Sequence, residues 1–196
     1  MATKEMNIEY EATFIPVEKA DIRARLQAAG ATLVRPEYMQ RRTVFHLPKG
    51  HEIEHGWLRV RDEGDKVTMS LKVVDGDKIT DQKEVCITVS DYQESILLLE
   101  KIGCRFKAFQ ESKRELWTLD GVEITIDEWP FLDPFIEVEG KSENEVKSVS
   151  EKIGFDWDRA KFCAIGKLYK EKYGVSLDEI NNNTPRIVFG EKNPFI

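Results

Sequence analysis

The sequence predicts an α+β fold organised around a large antiparallel sheet. Three observations point that way. About eight segments alternate apolar and polar residues with a period of two. Short Gly/Asp turns join the middle ones, as in hairpins. Helical stretches separate the strands into groups rather than following each strand in turn. A sheet of this size can form a sandwich, stay open or roll into a barrel, and strand pattern alone leaves the three open.

The elements follow in chain order. Residues 6–14, "MNIEYEATF", alternate and read as a strand. In "PVEKADIRARLQAAGA", Val17, Ala20, Ile22 and Leu26 suit one face of a helix, and Gly30 suits its end. Four strand segments come next: "EYMQRRTVFHL", "GWLRVRD", "KVTMSLKVV" and "QKEVCITV". "DEGD" and "VDGD" supply the turns between the later ones. "SDYQESILLLEKIG" is a helix with a Ser or Asp cap and Gly103 as its stop. "RFKAFQESKRELWTL", "VEITIDEW" and "PFIEVEG" are strands, and Asp120-Gly121 is a hairpin turn between the first two. "SENEVKSVSEKIG" opens with a capping box from Ser142 to Glu145, and a short helix is expected around 158–173. Residues 1–175 read as the folded domain and 176–196, with "NNNTP" and "NPFI", as an irregular tail.

At 196 residues, 41% hydrophobic and 33% charged, the chain has the make-up of a soluble globular domain. A net charge of −7 and a pI of 5.2 argue against a basic exterior that tracks nucleic acid, but leave room for a cationic pocket. Cys86, Cys104 and Cys163 are scattered, with no CxxC pair, and read as reduced core thiols. No secretory apolar region opens the chain and no run reaches membrane-spanning length, so the expected location is cytoplasmic, with no membrane and no nucleic-acid partner. His46, His51 and His55 lack zinc spacing. No phosphate-binding GxxxxGK[ST], GxSxG or GxGxxG is present.

Side chains of a strand alternate between its faces, so each segment can be sorted. Glu9, Glu11 and Thr13 share one face, against Ile8, Tyr10, Ala12 and Phe14. Arg59 and Arg61 oppose Leu58 and Val60; Thr68, Ser70 and Lys72 oppose Met69, Leu71 and Val73. Glu123, Thr125 and Asp127 share a face, as do Glu137 and Glu139. Any antiparallel sheet with water on one side produces such alternation. The segregation of sign is less ordinary. The first strand and those of 123–139 place acids and threonines on the polar face, whereas the middle strands place Arg and Lys there. Solvated surfaces usually mix the two signs. An acid cluster beside a base cluster suits a ligand that carries both divalent metal and phosphates. Carboxylates favour a hard cation such as Mg²⁺ or Mn²⁺. Trp57, Trp117, Trp129 and Trp157 read as core or rim residues.

These residues resemble a known family. "IEYEAT" is similar to the amino-terminal ExExK motif of the CYTH, or triphosphate tunnel metalloenzyme, superfamily. "WLRVRD" resembles its LRxR strand, "SLK" its T/S-L-K strand, and "SKRELW" its later basic strand. "IDEWPFLDPFIEVEG" is similar to its Asp-x(9)-Glu-x-Glu ending. The resemblance covers roughly residues 6–170. It implies an eight-stranded antiparallel β-barrel, a tunnel with polar faces inward and helices packed outside. It implies metal ligands Glu9, Glu11, Asp127, Glu137 and Glu139. It also implies phosphate contacts from Arg59, Arg61, Lys72 and Arg114. Glu84 reads equally as a lumen residue that orders the arginines and as a ladder pair on the surface. On this expectation the catalytic set is Glu9, Glu11, Arg59, Arg61, Lys72 and Arg114. Members are often dimers, so a homodimer is compatible with the resemblance, although no exposed apolar stripe in the sequence demands one.

The chain departs from the family pattern at three places. The usual basic residue before Glu84 is displaced: Gln82 shares its face, while Lys83 points away. Thr13 stands where the motif has lysine, which removes a cation worth about 1.5–3 kcal/mol in a charge-assisted contact. Arg42 and His46 stand where acids are common, and Arg42 is expected to face inward and partly replace the lost lysine. The expected function is metal-dependent hydrolysis of a triphosphate, whether a nucleotide, thiamine triphosphate or tripolyphosphate. Cyclisation of ATP to cyclic AMP and pyrophosphate, as in class IV adenylyl cyclases, is the second reading. A non-catalytic triphosphate- or polyphosphate-binding protein is the third.

Overall fold

The computed structural model describes residues 5–196. Its amino-terminal strand is broken once, at Glu9. β1 (Asn7–Ile8) pairs antiparallel with β6 (Gln82–Val89), and β2 (Tyr10–Phe14) pairs antiparallel with β9 (Phe135–Gly140). Between these edges lie β3 (Thr32–His46), β4 (Gly56–Asp62), β5 (Val67–Val74), β7 (Arg105–Leu119) and β8 (Val122–Glu128). The order across the sheet is β1-β6-β5-β4-β3-β7-β8-β9-β2. Because β1 and β2 are one stretch of chain, the two ends of the sheet meet on it, and the sheet is nearly closed into a barrel. Counted with that stretch as one broken strand, the antiparallel strands number the eight that the family resemblance implies. A further short strand, β10 (Arg186–Ile187), adds parallel to β7.

Local chemistry explains the joints. Asp120 and Gly121 both have positive φ, 53° and 83°, the geometry of a two-residue hairpin between β7 and β8. β3 begins earlier than the alternation suggests, and one of its register shifts on β7 falls between Arg35 and Tyr38, the interval that holds Pro36, which has no N–H to give the ladder. α1 (Lys19–Ala28) ends before Gly30, and α2 (Tyr92–Lys101) is capped by Asp91, whose carboxylate accepts from Glu94 N at 2.8 Å. In α3 (Glu143–Lys152) only half of the expected capping box forms: Ser142 Oγ accepts from Glu145 N, but the Glu145 carboxylate accepts from Lys141 N instead of Ser142 N. The helix expected over 158–173 is split. Trp157–Arg159 is one 3₁₀ turn, and α4 (Ile165–Tyr173) starts later, because Lys161 is drawn into a backbone bridge with Thr13.

The apolar faces point outward, and helices cover most of them. α1 and α3 bury Ile22, Leu26, Val146, Val149 and Ile153 against Ala12, Phe14, Ile124, Ile126, Ile136 and Val138. Leu99 of α2, with Cys104 just beyond the helix, covers Phe45 and Val60. Each such Leu, Ile, Val or Phe contributes about 1.5–3 kcal/mol by leaving water. α4 packs with the carboxy-terminal segment: Trp129, Phe135, Leu168 and Tyr169 surround Ile180, Ile187 and Phe195. Residues 176–196 are therefore mostly irregular in path, yet anchored by buried side chains. Of the cysteines, only Cys104 is buried, and Cys86 is exposed, so the expectation of three core thiols is corrected. Val85 and Ile87 share the outer face of β6 and both are exposed. No helix among the described residues is long and apolar enough to cross a membrane.

Candidate functional site

The barrel encloses a cavity of about 1280 Å³. Its wall gathers the polar faces sorted from the sequence: Glu9, Glu11, Glu84, Glu137 and Glu139 with Arg42, Arg59, Arg61, Lys72 and Arg114. The break at Glu9 is what brings the two signs together. Downstream of it, Glu11 lies opposite Glu139, and Thr13 opposite Glu137, on β9. At the break itself, Glu9 N donates to Gln82 O at 2.9 Å, turning the residue toward β6 and the basic strands.

Glu9, Glu11 and Glu139 form a carboxylate triad, one oxygen from each lying within 4.8 Å of the others. Burial first, and then acidic neighbours, raise Glu11 and Glu139 to about 7. Burial, Glu11 and Asp127 raise Glu137 to about 8. The carboxylates are thus held where their shared negative charge is costly without a cation. Glu9 Oε2 is buried, and its neighbour among the described residues is the Lys72 ammonium, 2.6 Å away. Oxygen donors of this kind fit Mg²⁺ or Mn²⁺.

Asp127 and Glu137, also expected as metal ligands, lie apart from the triad. Arg114 grips Asp127 with two hydrogen bonds, Nε to Oδ1 and Nη2 to Oδ2, both 2.8 Å, and donates a third to Glu137 Oε2 at 2.6 Å. Thr125 Oγ1 donates to Asp127 Oδ2 as well, at 2.7 Å. Burial lowers the affinity of Arg114 for its proton, but Asp127 and Glu137 outweigh it and raise the pKa. The structure brings Glu137 to the cavity wall and buries Asp127 completely behind Arg114.

The cations show a pattern that pairwise reading hides. Arg59 donates to Glu84 at 2.9 Å, Arg61 to Glu63 at 3.0 Å, and Lys72 Nζ lies 2.6 Å from Glu9 Oε2. Burial pushes Glu84 upward, but Arg59 and Lys72 prevail and hold it at about 2. Among the described residues Arg42 has no carboxylate partner. It donates to Gln40 Oε1 at 2.8 Å and to Ser112 Oγ, and its guanidinium stacks 4.2 Å from the Trp129 ring. In the β3–β4 register Arg42 sits directly opposite Arg61, a like-charge pair that is ordinarily unfavourable. Burial first, and then Arg59 and Arg61, lower its pKa well below the usual arginine range. Since guanidinium does not deprotonate in proteins, that shift measures a cation in need of an anion.

Glu63 was not among the residues singled out from the sequence. It is 4% exposed and holds Arg61. It lies two positions beyond Arg61 in the inward row of Arg59 and Arg61, so parity carried past the end of the strand into the "DEGD" turn finds it. Thr13 is buried and its backbone is bridged to Lys161, so the place of the family lysine is covered by chain. Gln82, expected on the inward face, is buried and donates to Glu11 O at 2.8 Å, while Lys83 points away. Trp117 and Trp157 are packed in or against the outer core, whereas Trp57 and Trp129 line the cavity.

A profile described as the CYTH domain matches residues 7–164. Among curated proteins no sequence matches the chain. Solved structures that resemble it include a conserved hypothetical protein from Pyrococcus furiosus, at 18% identity and a TM-score of 0.67, covering 82% of this chain and 99% of that one. A putative adenylate cyclase from Vibrio parahaemolyticus shares 8% identity with a TM-score of 0.72, over 84% and 98% of the two chains. A putative adenylyl cyclase from Hippeastrum, described as having a dominant triphosphatase activity, shares 14% identity with a TM-score of 0.52, over 87% and 99%. Identities this low establish a common fold.

Proposed function

Because this chain belongs to the CYTH domain family, we propose that it is a metal-dependent enzyme that hydrolyses an organic or inorganic triphosphate inside its barrel. The observation that carries this reading is one cavity whose wall holds a carboxylate triad together with Arg42, Arg59, Arg61, Lys72 and Arg114. Glu9, Glu11 and Glu139 are the residues that would hold the cation. Bound there, Mg²⁺ or Mn²⁺ would offset phosphate charge and act as a Lewis acid.

The chain's own residues do the rest. Arg42, stacked on Trp129 and without a carboxylate, is the first cation open to a phosphate. Arg59 and Arg61 are planar donors suited to bidentate phosphate contact, and Glu84 and Glu63 fix their orientation. Arg114 faces the same space while braced by Asp127 and Glu137. Such preorganised charge lowers the barrier to phosphoryl transfer by stabilising the equatorial oxygens of the transferred group.

A second reading is cyclisation of ATP. The cavity, about 1280 Å³, exceeds the usual range for small ligands, roughly 300–1,000 Å³. It has room for a nucleoside beside the phosphates. The pure protein incubated with ATP, thiamine triphosphate or tripolyphosphate, each with Mg²⁺ or Mn²⁺, separates the readings. Orthophosphate release supports hydrolysis, and cyclic AMP with pyrophosphate supports cyclisation. Tight binding with no turnover on any substrate, the outcome that Thr13 would favour, refutes both.

A further inference from the structure

We propose that the carboxy-terminal segment positions Arg42: Phe195, through Tyr169 and Tyr173, holds the turn that sets Trp129 against the guanidinium. The inference rests on the phosphate-binding role proposed above for Arg42.

The chain of contacts starts at the cation. The Arg42 guanidinium lies 4.2 Å from the centre of the Trp129 ring. Among the described residues its hydrogen-bond acceptors, Gln40 and Ser112, are neutral. The ring face is therefore one of the few things that fix where this charge points. Trp129 is also the first residue of a turn, closed by Leu132 N donating to Trp129 O at 3.2 Å. Pro130 comes second and Phe131 third, with φ 67°. That is the pattern of a type II turn, whose third position is usually glycine. A phenylalanine holds a positive φ only where its surroundings fix it.

Those surroundings come from α4 and the end of the chain. Tyr169 Oη donates to Pro130 O at 2.8 Å, and Tyr173 Oη donates to Phe131 O. The carbonyls of both central turn residues are thus held. Phe195 packs on both tyrosines, with ring centroids 4.7 and 5.4 Å away. Asn193 fastens the same end: its side chain donates to Tyr173 Oη at 3.1 Å and accepts from Phe195 N at 2.9 Å. Burial raises the pKa of the Tyr169 phenol well above its usual value, which keeps it protonated as a donor. The charge of Arg42 opposes that rise, so the two lie within electrostatic reach. Tyr169, Tyr173, Asn193 and Phe195 all follow residue 164, where the match to the CYTH profile stops. The segment is this chain's own support for a cation that itself departs from the family pattern.

The test is a double-variant cycle, read by calorimetry with a non-hydrolysable triphosphate analogue and Mn²⁺. Phe195→Ala is expected to weaken binding by roughly 2–30-fold, the span for residues that couple to a ligand without touching it. In an Arg42→Ala background the same change should leave affinity unmoved. Equal weakening in both backgrounds overturns the proposal, because the segment would then act on the barrel as a whole. A second readout needs no ligand. Arg42 Nε is buried, and its N–H resonance, assigned by its loss in Arg42→Ala, should shift in Phe195→Ala as the Trp129 ring moves. Tyr169→Phe removes a single hydroxyl and should shift it too, which keeps the test open if Phe195→Ala does not fold. An unmoved resonance in a folded variant overturns the proposal. If the parent binds no triphosphate, the function proposed above fails, and the resonance alone decides this inference.

Discussion

Replacing Arg114 by methionine tests how much of the cavity is held by mutual charge compensation. The change removes the partner of two carboxylates at once, three hydrogen bonds of 2.6–2.8 Å. Breaking a buried pair from one side costs about 3–5 kcal/mol, because the remaining charge is stranded. Glu137 limits its share of that cost, since its carboxyl already titrates at about 8 and takes up a proton near neutrality. Asp127 is fully buried and keeps only Thr125 as a donor, so it dominates. The expected loss is near the lower end, about 3 kcal/mol at pH 7. In a chain of this size that is a fall in Tm of about 6–12 °C. Urea unfolding should show a lower midpoint with an unchanged m-value. Adding Asp127→Asn to Arg114→Met should recover most of the loss, because the stranded charge is gone. A loss under about 1 kcal/mol, or no recovery in the double variant, would refute the reasoning.

Three further outcomes follow from the same geometry. Arg42→Ala should weaken triphosphate binding by about 1.5–3 kcal/mol, roughly 10–150-fold, as measured by calorimetry; unchanged affinity would mean that Arg42 does not stand in for the absent lysine. In the metal-free protein, Glu11 and Glu139 titrate at about 7 and Glu137 at about 8, above their unfolded value of 4.5, so the folded state holds more protons across that interval. Their contribution to stability is complete below about pH 4.5 and is lost as pH rises through 7–8; melting curves from pH 5 to 8 with chelator should fall on that account, and Mn²⁺ should restore most at the alkaline end. Ile187→Ala, in a fully buried position of the carboxy-terminal segment, should cost about 2–5 kcal/mol in urea unfolding, whereas a loose tail would leave the midpoint unmoved.

Much of this molecule was legible because strand alternation is a local property. Parity alone sorted Glu9, Glu11, Arg59, Arg61, Lys72, Glu137 and Glu139 onto one set of faces, and the cavity wall carries all seven. Asp120-Gly121 announced its hairpin because only that turn geometry suits its positive φ values. Other features depended on distant partners. Asp127 looked the equal of Glu137 in the sequence, and only the β7–β8 register, which sets it opposite Arg114, commits both its oxygens. The half-formed capping box at Ser142 and the late start of α4 were likewise decided by competing backbone partners, Lys141 and Thr13.

By itself the sequence determined the fold class, the strands and which side chains share a face, since each depends on neighbours two to four residues apart. Tertiary structure decided which faces meet. The break at Glu9 joins β6 to β9 through one strand, and that closure brings acids from the two ends of the chain beside bases from its middle. Coulomb energy depends on separation in space, which no sequence interval encodes, so the pairing of Lys72 with Glu9 and the isolation of Arg42 exist only in the folded barrel.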